Sequence, residues 1–367
     1  MRVAIVTNFL STNGGGLSSV TKGQLEGFLD ININAHVFGV SDELWPTQKC
    51  NWPKGYTTTF SNSPLSLFKM AKEITSWRPD VIHINGLWSF HILASYIAAK
   101  ILQIPYFIAP HGSLNIQALS YSKTKKSIAN FFYHERCLKS ASALFASHSN
   151  EHEDFITYGI TNPIKIIGNG IDTSLIKEKK PYPKDSRRFI LSLGRLHKIK
   201  GLDLLIKAWS KVEADFPNWD LIIAGPDSYG YYNNELKKLV EELNINQIKF
   251  IGPVYSDKKF KIYQDASIFV LTSLSEGFAL TILESLISST PVIATQTTPW
   301  EAINEIGCGW WIPIDELETT LRTAMSTSPK TLLEKGQKGN KWAKENFLWP
   351  KIAEQLIKTY KDIEKKK

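Results

Sequence analysis

With 367 residues the chain is long for one hydrophobic core and comfortable for two. Hydrophobic residues make up 43% and charged residues 21%, which excludes a disordered or fibrous protein. The net charge of +8 suits an anionic partner, whether nucleic acid, membrane surface or phosphorylated small molecule, without choosing among them.

The start of the chain, Met1-Arg2-Val3-Ala4-Ile5-Val6, enters a strand pattern directly, without the apolar run and cleavage site of a signal peptide. The longest apolar stretch, 92–108, is broken by Lys100, Gln103 and Pro105, too soon for a membrane span. A cytoplasmic location is expected. Cys50, Cys137 and Cys308 are odd in number and in no ligand spacing, so reduced thiols are expected.

In chain order, 3–7 reads as a buried strand, followed by a turn at Asn13-Gly14-Gly15-Gly16 and a helix over 18–29. Strands follow at 35–40 and 81–84, the latter after Pro79-Asp80; then come a helix over 89–102 and a strand over 105–109 running into Pro110-His111-Gly112. This alternation argues for parallel sheet units with crossover helices. Between 172 and 188 the hydrophobic period lapses, and 177–185 reads as a linker. The alternation then restarts: strands at 189–193, 221–224, 248–251, 268–271 and 291–294, with helices over 201–216, 234–243 and 279–288. From 335 the tail reads as an amphipathic helix. The expected domains are 1–176 and 186–349, with a helix over about 350–367 returning to the first. The class is α/β: two Rossmann-like, doubly wound domains facing across a cleft, with ligands expected at the carboxyl ends of the strands.

Two clusters follow strand ends in the second half. Gly194-Arg195 and Lys200-Gly201 place two cations where a helix begins, a combination suited to a diphosphate, although the spacing by itself reads more readily as a solvated basic loop. After the 268–271 strand, Ser275-Glu276-Gly277-Phe278 leads into Glu284. With Glu276 at the loop and Glu284 two turns into a helix, the two carboxylates, eight apart, can lie along one face and accept from the paired hydroxyls of a sugar nucleotide. Backbone amides of Phe278, Ala279 and Leu280 are expected to point at phosphate. Taken alone, Glu284 reads more readily as a surface helix residue.

The pair Glu276 and Glu284 resembles the E-x7-E motif of the family-four retaining glycosyltransferases of GT-B fold. Gly194-Arg195 with Lys200-Gly201 is similar to their phosphate-binding element, and Asn169-Gly170-Ile171-Asp172 to the segment closing their first domain. Pro110-His111-Gly112-Ser113-Leu114, Pro299-Trp300 and Gly307-Cys308-Gly309-Trp310-Trp311 resemble the bacterial O-antigen and capsule transferases. The resemblance implies a nucleotide-sugar donor, a UDP-hexose or UDP-N-acetylhexosamine ahead of GDP-mannose, and a polyprenyl-diphosphate-linked glycan acceptor. It implies that Glu276 and His111 contact the donor sugar, that Glu284 holds the ribose, and that Arg195 and Lys200 neutralise the leaving diphosphate without a metal or other cofactor. Gly15 and Gly16 would approach the phosphates from the other domain. Gly225, Gly252 and Val254 would line the base pocket. His111 reads alternatively as an ordinary buried histidine, and the glycine segments as turns. No Asp-x-Asp pair occurs in the sequence, in keeping with metal-independent transfer.

The stretch 121–139 interleaves Lys123, Lys125, Lys126, Arg136 and Lys139 with Phe131, Phe132 and Tyr133. It suits contact with an anionic membrane at the inner face of the cytoplasmic membrane, or a solvated helix whose aromatics pack inward. Asn85-Gly86-Leu87-Trp88 is expected near the acceptor. A sugar-nucleotide epimerase or glycan phosphorylase on the same scaffold remains an alternative. Nucleic acid is not an expected partner, because the charge is dispersed and no recognition module appears. The spacing of Gly14-Gly15-Gly16 does not fit a dinucleotide fingerprint.

Overall fold

The computed structural model describes residues 1–367 except 64, 116–118, 120–132, 175, 177, 182–186, 228, 229, 366 and 367. The chain divides into two units, Met1–Asp172 with Phe347–Lys367, and Thr173–Asn346. The division therefore falls ahead of the 177–185 linker, and the first unit takes back the end of the chain from Phe347.

In the first unit seven parallel strands run in the order β3-β2-β1-β4-β5-β6-β7. They are β1 (Arg2–Phe9), β2 (Asn34–Val40), β3 (Thr57–Phe60), β4 (Val81–Asn85), β5 (Tyr106–Ala109), β6 (Ala143–Ala146) and β7 (Ile164–Ile166). Val3, Ala4, Ile5 and Val6 are fully buried, because a parallel sheet is covered on both faces and its strands read as unbroken apolar runs. Helices α1 (Gly16–Asp30), α2 (Ser66–Trp77), α3 (Phe90–Leu102) and α4 (Ser149–Tyr158) belong to this unit. The first begins at Gly16, two residues ahead of the expected start, so Gly16 belongs to the helix and not to the turn.

The final helix, α10 (Trp349–Glu364), packs on α1 at two glycines. A Cβ on Gly23 would lie 2.0 Å from Trp349 Nε1, and one on Gly27 2.6 Å from the Trp349 carbonyl oxygen. Gly170 closes a third side, where a Cβ would be 2.4 Å from the indole, and Leu348 pairs with Ile171 as a parallel bridge. The Asn169-Gly170-Ile171 segment is thus a seat for the returning helix.

The second unit repeats the plan with six parallel strands, β10-β9-β8-β11-β12-β13. They are β8 (Arg188–Leu193), β9 (Trp219–Ala224), β10 (Ile248–Phe250), β11 (Ile268–Leu271), β12 (Val292–Thr295) and β13 (Gly309–Ile312). Its principal helices are α5 (Leu202–Ser210), α6 (Ser256–Asp265), α7 (Leu280–Ile287), α8 (Leu317–Ser326) and α9 (Pro329–Asn346). The expected 201–216 helix ends at Ser210, and Glu213–Asp215 forms a separate 3-10 turn. At the amino ends of β11 and β12, Lys179 Nζ donates to the carbonyl oxygen of Ala266 (2.6 Å) and to Thr290 Oγ1 (2.7 Å).

Among the described residues no helix is long and apolar enough to cross a membrane. Of the stretch 121–139, residues 121–132 lie outside the described residues. Tyr133 packs against the first unit's core and Cys137 and Leu138 are buried in it, the inward-packing arrangement for that part.

Candidate active site

In the second unit the strand order reverses between β8 and β11, and ligands in open α/β sheets bind beyond the carboxyl ends at such a point. Gly194 and Arg195 leave β8 there. The loops after β8, β9 and β10 are tied by backbone bonds: Gly194 N to Ala224 O (3.0 Å), Leu196 N to Pro226 O (2.9 Å) and Gly225 N to Gly252 O (2.8 Å). Gly225 has φ +148°, and a Cβ there would sit 1.7 Å from the Gly194 oxygen, so this position admits glycine alone. Arg195 is exposed and has no ion pair among the described residues. Gly194, Arg195, Lys200, Ala224 and Leu271 line a small pocket there.

The 3-10 turn Lys198–Lys200 is capped by His197, whose Nδ1 accepts from Ile199 N (3.2 Å). Gly201 closes the turn at φ +59°, pressed so near β11 that a Cβ would be 2.3 Å from the Thr272 oxygen. Thr272 Oγ1 reaches the carbonyl oxygens of Lys200 and Gly201, each at 3.0 Å, and Leu274 N donates to Ile199 O at 2.7 Å. The loops after β8 and β11 therefore form one body. Across it Lys200 Nζ forms an ion pair with Glu276 Oε1, which also accepts from Ser273 Oγ (2.6 Å).

Glu276 and Glu284 do not share a helical face. Glu276 lies in the loop, α7 begins only at Leu280, and Glu284 is its fifth residue. Glu284 is held by α6, where Lys259 and Tyr263 stand one turn apart: Lys259 Nζ pairs with Oε1 and Tyr263 OH donates to Oε2 (3.1 Å). Burial and the neighbouring carboxylate push the Tyr263 hydroxyl well above its ordinary range, so it remains a donor. Ala279, at φ +58°, precedes α7 without a side-chain cap, leaving the amides at the helix start open to an anion. The Phe278 carbonyl accepts from Trp300 Nε1 at 2.6 Å, and the two rings meet edge to face with centroids 5.2 Å apart. Gly252, at φ +70°, has open space around its Cα, and Val254 is half-buried beside it in the loop after β10.

In the first unit Gly15 (φ +59°) joins a 3-10 turn, Thr12–Gly14, to the start of α1 at Gly16, and both glycines are exposed. His111 follows β5 at φ +51°, its Nε2 2.8 Å from Asn85 Oδ1. Glu151, buried on α4, accepts from Gly112 N (2.6 Å), Ser147 N (2.7 Å) and Ser147 Oγ (2.6 Å), which holds the Pro110-His111-Gly112 turn in place. Burial lowers the His111 pKa below its ordinary value, and the Glu151 charge opposes that shift.

The structure thus brings Lys200, Glu276, Arg195 and the start of α7 to one edge of the second sheet, with Glu284 behind them. It places His111, Gly15 and Gly16 at the carboxyl edge of the first. Sequence reasoning missed Ser273, which acts on Glu276 from the same loop, and Lys259 and Tyr263, which act from another helix; it named Trp300 only within a motif of the resemblance. It also missed Glu151 and His83, and gave Asn85, expected near the acceptor, no part beside His111. For His83 and Asn85 a signal existed: polar residues at alternate positions of an otherwise apolar strand.

A family model described as glycosyl transferases group 1 matches residues 174–342, and one described as glycosyltransferase family 4 matches 34–175. An uncharacterised glycosyltransferase of Methanocaldococcus jannaschii is 26% identical over 98% of this chain and 98% of its own. An N-acetylgalactosamine-N,N'-diacetylbacillosaminyl-diphospho-undecaprenol 4-alpha-N-acetylgalactosaminyltransferase of Campylobacter jejuni is 30% identical over 46% of this chain and 45% of its own. The crystal structure of HepE from Anabaena in complex with UDP and glucose superposes with a TM-score of 0.78 at 22% identity, covering 99% of this chain and all of that one.

Proposed function

The chain belongs to the family-four glycosyltransferases of GT-B fold, and from that premise we propose that it transfers a hexose or N-acetylhexosamine from a UDP-sugar to a lipid-diphosphate-linked sugar, with retention and without a metal, in bacterial polysaccharide or O-antigen synthesis. The observation that carries the proposal is the cationic edge at the β8/β11 reversal: Arg195 and Lys200 beside the uncapped start of α7. Charge developing on a departing diphosphate meets two cations and the open amides of a helix, which is the stabilisation such a step needs.

Lys200 is engaged by Glu276 in the structure. A diphosphate at this edge offers the same ammonium stronger anionic acceptors, leaving Glu276 to accept from hydroxyls of the donor sugar. Glu284, oriented by Lys259 and Tyr263, is the proposed ribose ligand. His111 is proposed to contact the donor sugar, with Gly15 and Gly16 approaching the phosphates. Phe278, Ala279 and Leu280 supply the anion-facing turn, and Gly225, Gly252 and Val254 border the base. Acceptor attack beside the departing phosphate gives retention.

The UDP base is favoured by the HepE complex, and the lipid-diphosphate acceptor by the Campylobacter relative. A lipid-linked acceptor favours work at the inner face of the cytoplasmic membrane. The test is incubation of the full chain with UDP-sugars and a polyprenyl-diphosphate-linked sugar in EDTA, with the new linkage assigned by NMR. An α-linked product from an α-linked donor supports the proposal. Inversion, or a strict metal requirement, overturns those parts of it. Conversion of the nucleotide sugar with no acceptor present would favour an epimerase.

A further inference from the structure

The interior of the first unit holds a chain of polar side chains that ends on His111. Alternation along Val81–Asn85 puts His83 and Asn85 on one face of β4, both fully buried. From α1, Thr21 Oγ1 donates its single hydrogen to the Leu17 carbonyl oxygen (2.8 Å). Towards Asn85 Nδ2, at 3.2 Å, Thr21 can then only accept. The other amide hydrogen of Asn85 goes to Gln24 Oε1 at 2.6 Å. With Nδ2 committed to α1, Asn85 Oδ1 faces two imidazoles: His111 Nε2 at 2.8 Å and His83 Nε2 at 3.2 Å.

An amide oxygen accepts and never donates, so each Nε2 must bear a hydrogen. The opposite tautomer would set an imidazole lone pair against the Asn85 oxygen at 2.8 Å. His83 Nδ1 is then an acceptor, and Tyr360 OH, from α10, supplies the proton at 2.7 Å. The Gln24 amide, whose Nε2 lies 3.4 Å from His83 Nε2, finds no acceptor there under this assignment, so the His111 tautomer rests on the 2.8 Å contact with Asn85 Oδ1. We infer that Thr21 and Asn85 fix the tautomer of His111 as Nε2–H and leave Nδ1 as a bare acceptor. Nδ1 has no hydrogen-bond partner among the described residues, and is not among their enclosed unpaired atoms.

The ligand class follows from the lone pair. A bare Nδ1 takes a hydrogen from a hydroxyl and cannot serve a carbonyl or phosphate oxygen. Given the proposed place of His111 beside the donor sugar, on which this consequence rests, His111 reads a sugar hydroxyl as a donor. Thr21, Asn85, His83 and Tyr360 are positioning residues: they act through His111 and touch no substrate.

The test uses the full chain labelled with 15N-histidine, the His111 signals being assigned by their loss in His111→Gln. The expected result is a protonated Nε2 and an unprotonated Nδ1 on neutral His111. Thr21→Ser, which keeps the hydroxyl, retains that pattern. Thr21→Val, nearly isosteric but without the hydroxyl, releases the Asn85 amide and shifts part of His111 to Nδ1–H. Wild-type protein with Nδ1–H, or Thr21→Val matching Thr21→Ser, overturns the inference. Asn85→Asp gives a second reading should the valine variant not fold: a carboxylate at this point raises the His111 pKa by roughly one unit or more, and an unmoved pKa refutes the contact. Kinetics separate the two layers. A tautomer shift accompanied by a fall in kcat of roughly tenfold with KM little changed supports both. A tautomer shift with kcat unmoved upholds the relay and removes His111 from the reaction.

Discussion

Lys179 sits with 5% of its surface exposed among neutral acceptors, and the pH dependence of folding should report it. Thr290 Oγ1 spends its own hydrogen on the Tyr263 carbonyl oxygen, so towards Lys179 it only accepts. The Asp265 charge favours the ammonium, but burial outweighs it and brings the Lys179 pKa from 10.5 to about 7. The folded pKa is depressed, so between pH 7 and 10.5 the unfolded chain binds the extra proton, and stability rises with pH across that window. The fall corresponds to on the order of 5 kcal/mol as an upper bound, of which about 3 kcal/mol should be recovered between pH 6 and 9.5. The assay is urea unfolding of wild type and Lys179→Met at both pH values. The wild-type stability, taken relative to the variant, should climb by up to that amount at the higher pH. A relative stability that is flat, or falls as pH rises, would refute an ammonium forced into an apolar site.

Three further outcomes follow from packing and hydrogen bonding. Trp300→Phe keeps an aromatic ring against Phe278 but removes the indole N–H that donates to the Phe278 carbonyl, costing about 1 kcal/mol; UDP affinity in calorimetry should drop while the far-ultraviolet dichroism stays unchanged. Gly225→Ala must push Gly194 away from a contact of 1.7 Å, so thermal unfolding should show a loss of about 2 kcal/mol or more, with weakened nucleotide binding at Arg195. Trp349→Ala empties the seat made by Gly23, Gly27 and Gly170 and should cost about 3–5 kcal/mol, with hydrogen exchange accelerating along α10.

The central strands of both sheets were legible because parallel strands buried on two faces are written as continuous apolar runs, as in Val3–Val6 and Ile268–Leu271. The edges were not. In β3, Thr57-Thr58-Thr59-Phe60 is a polar edge strand, and in β7 Ile166 is 54% exposed, so neither shows the interior pattern. The helix α6 was missed because Ser256–Asp265 is mostly polar and buries only Tyr263. In the site, Arg195, Lys200 and Glu276 stood out because cations and a carboxylate just after apolar strands are chemically conspicuous. Their partners were invisible because each contact crosses elements: Trp300 lies 22 residues from Phe278, and Tyr263 21 from Glu284. The eight-residue spacing of the carboxylates suggested a common helical face, yet the left-handed turn at Ala279 starts the helix after Glu276. Thr21 carried no signal at all, since its part depends on where α1 packs against β4.

Isothermal titration of the full chain with UDP, GDP and ADP in EDTA tests the central claim most directly, with Arg195→Ala/Lys200→Ala alongside. The account predicts micromolar binding of UDP without metal, weakened roughly 30-fold or more in the double variant by the loss of charge-assisted bonds to phosphate. Absence of nucleotide binding, binding that requires a divalent cation, or a double variant that binds as wild type would contradict it.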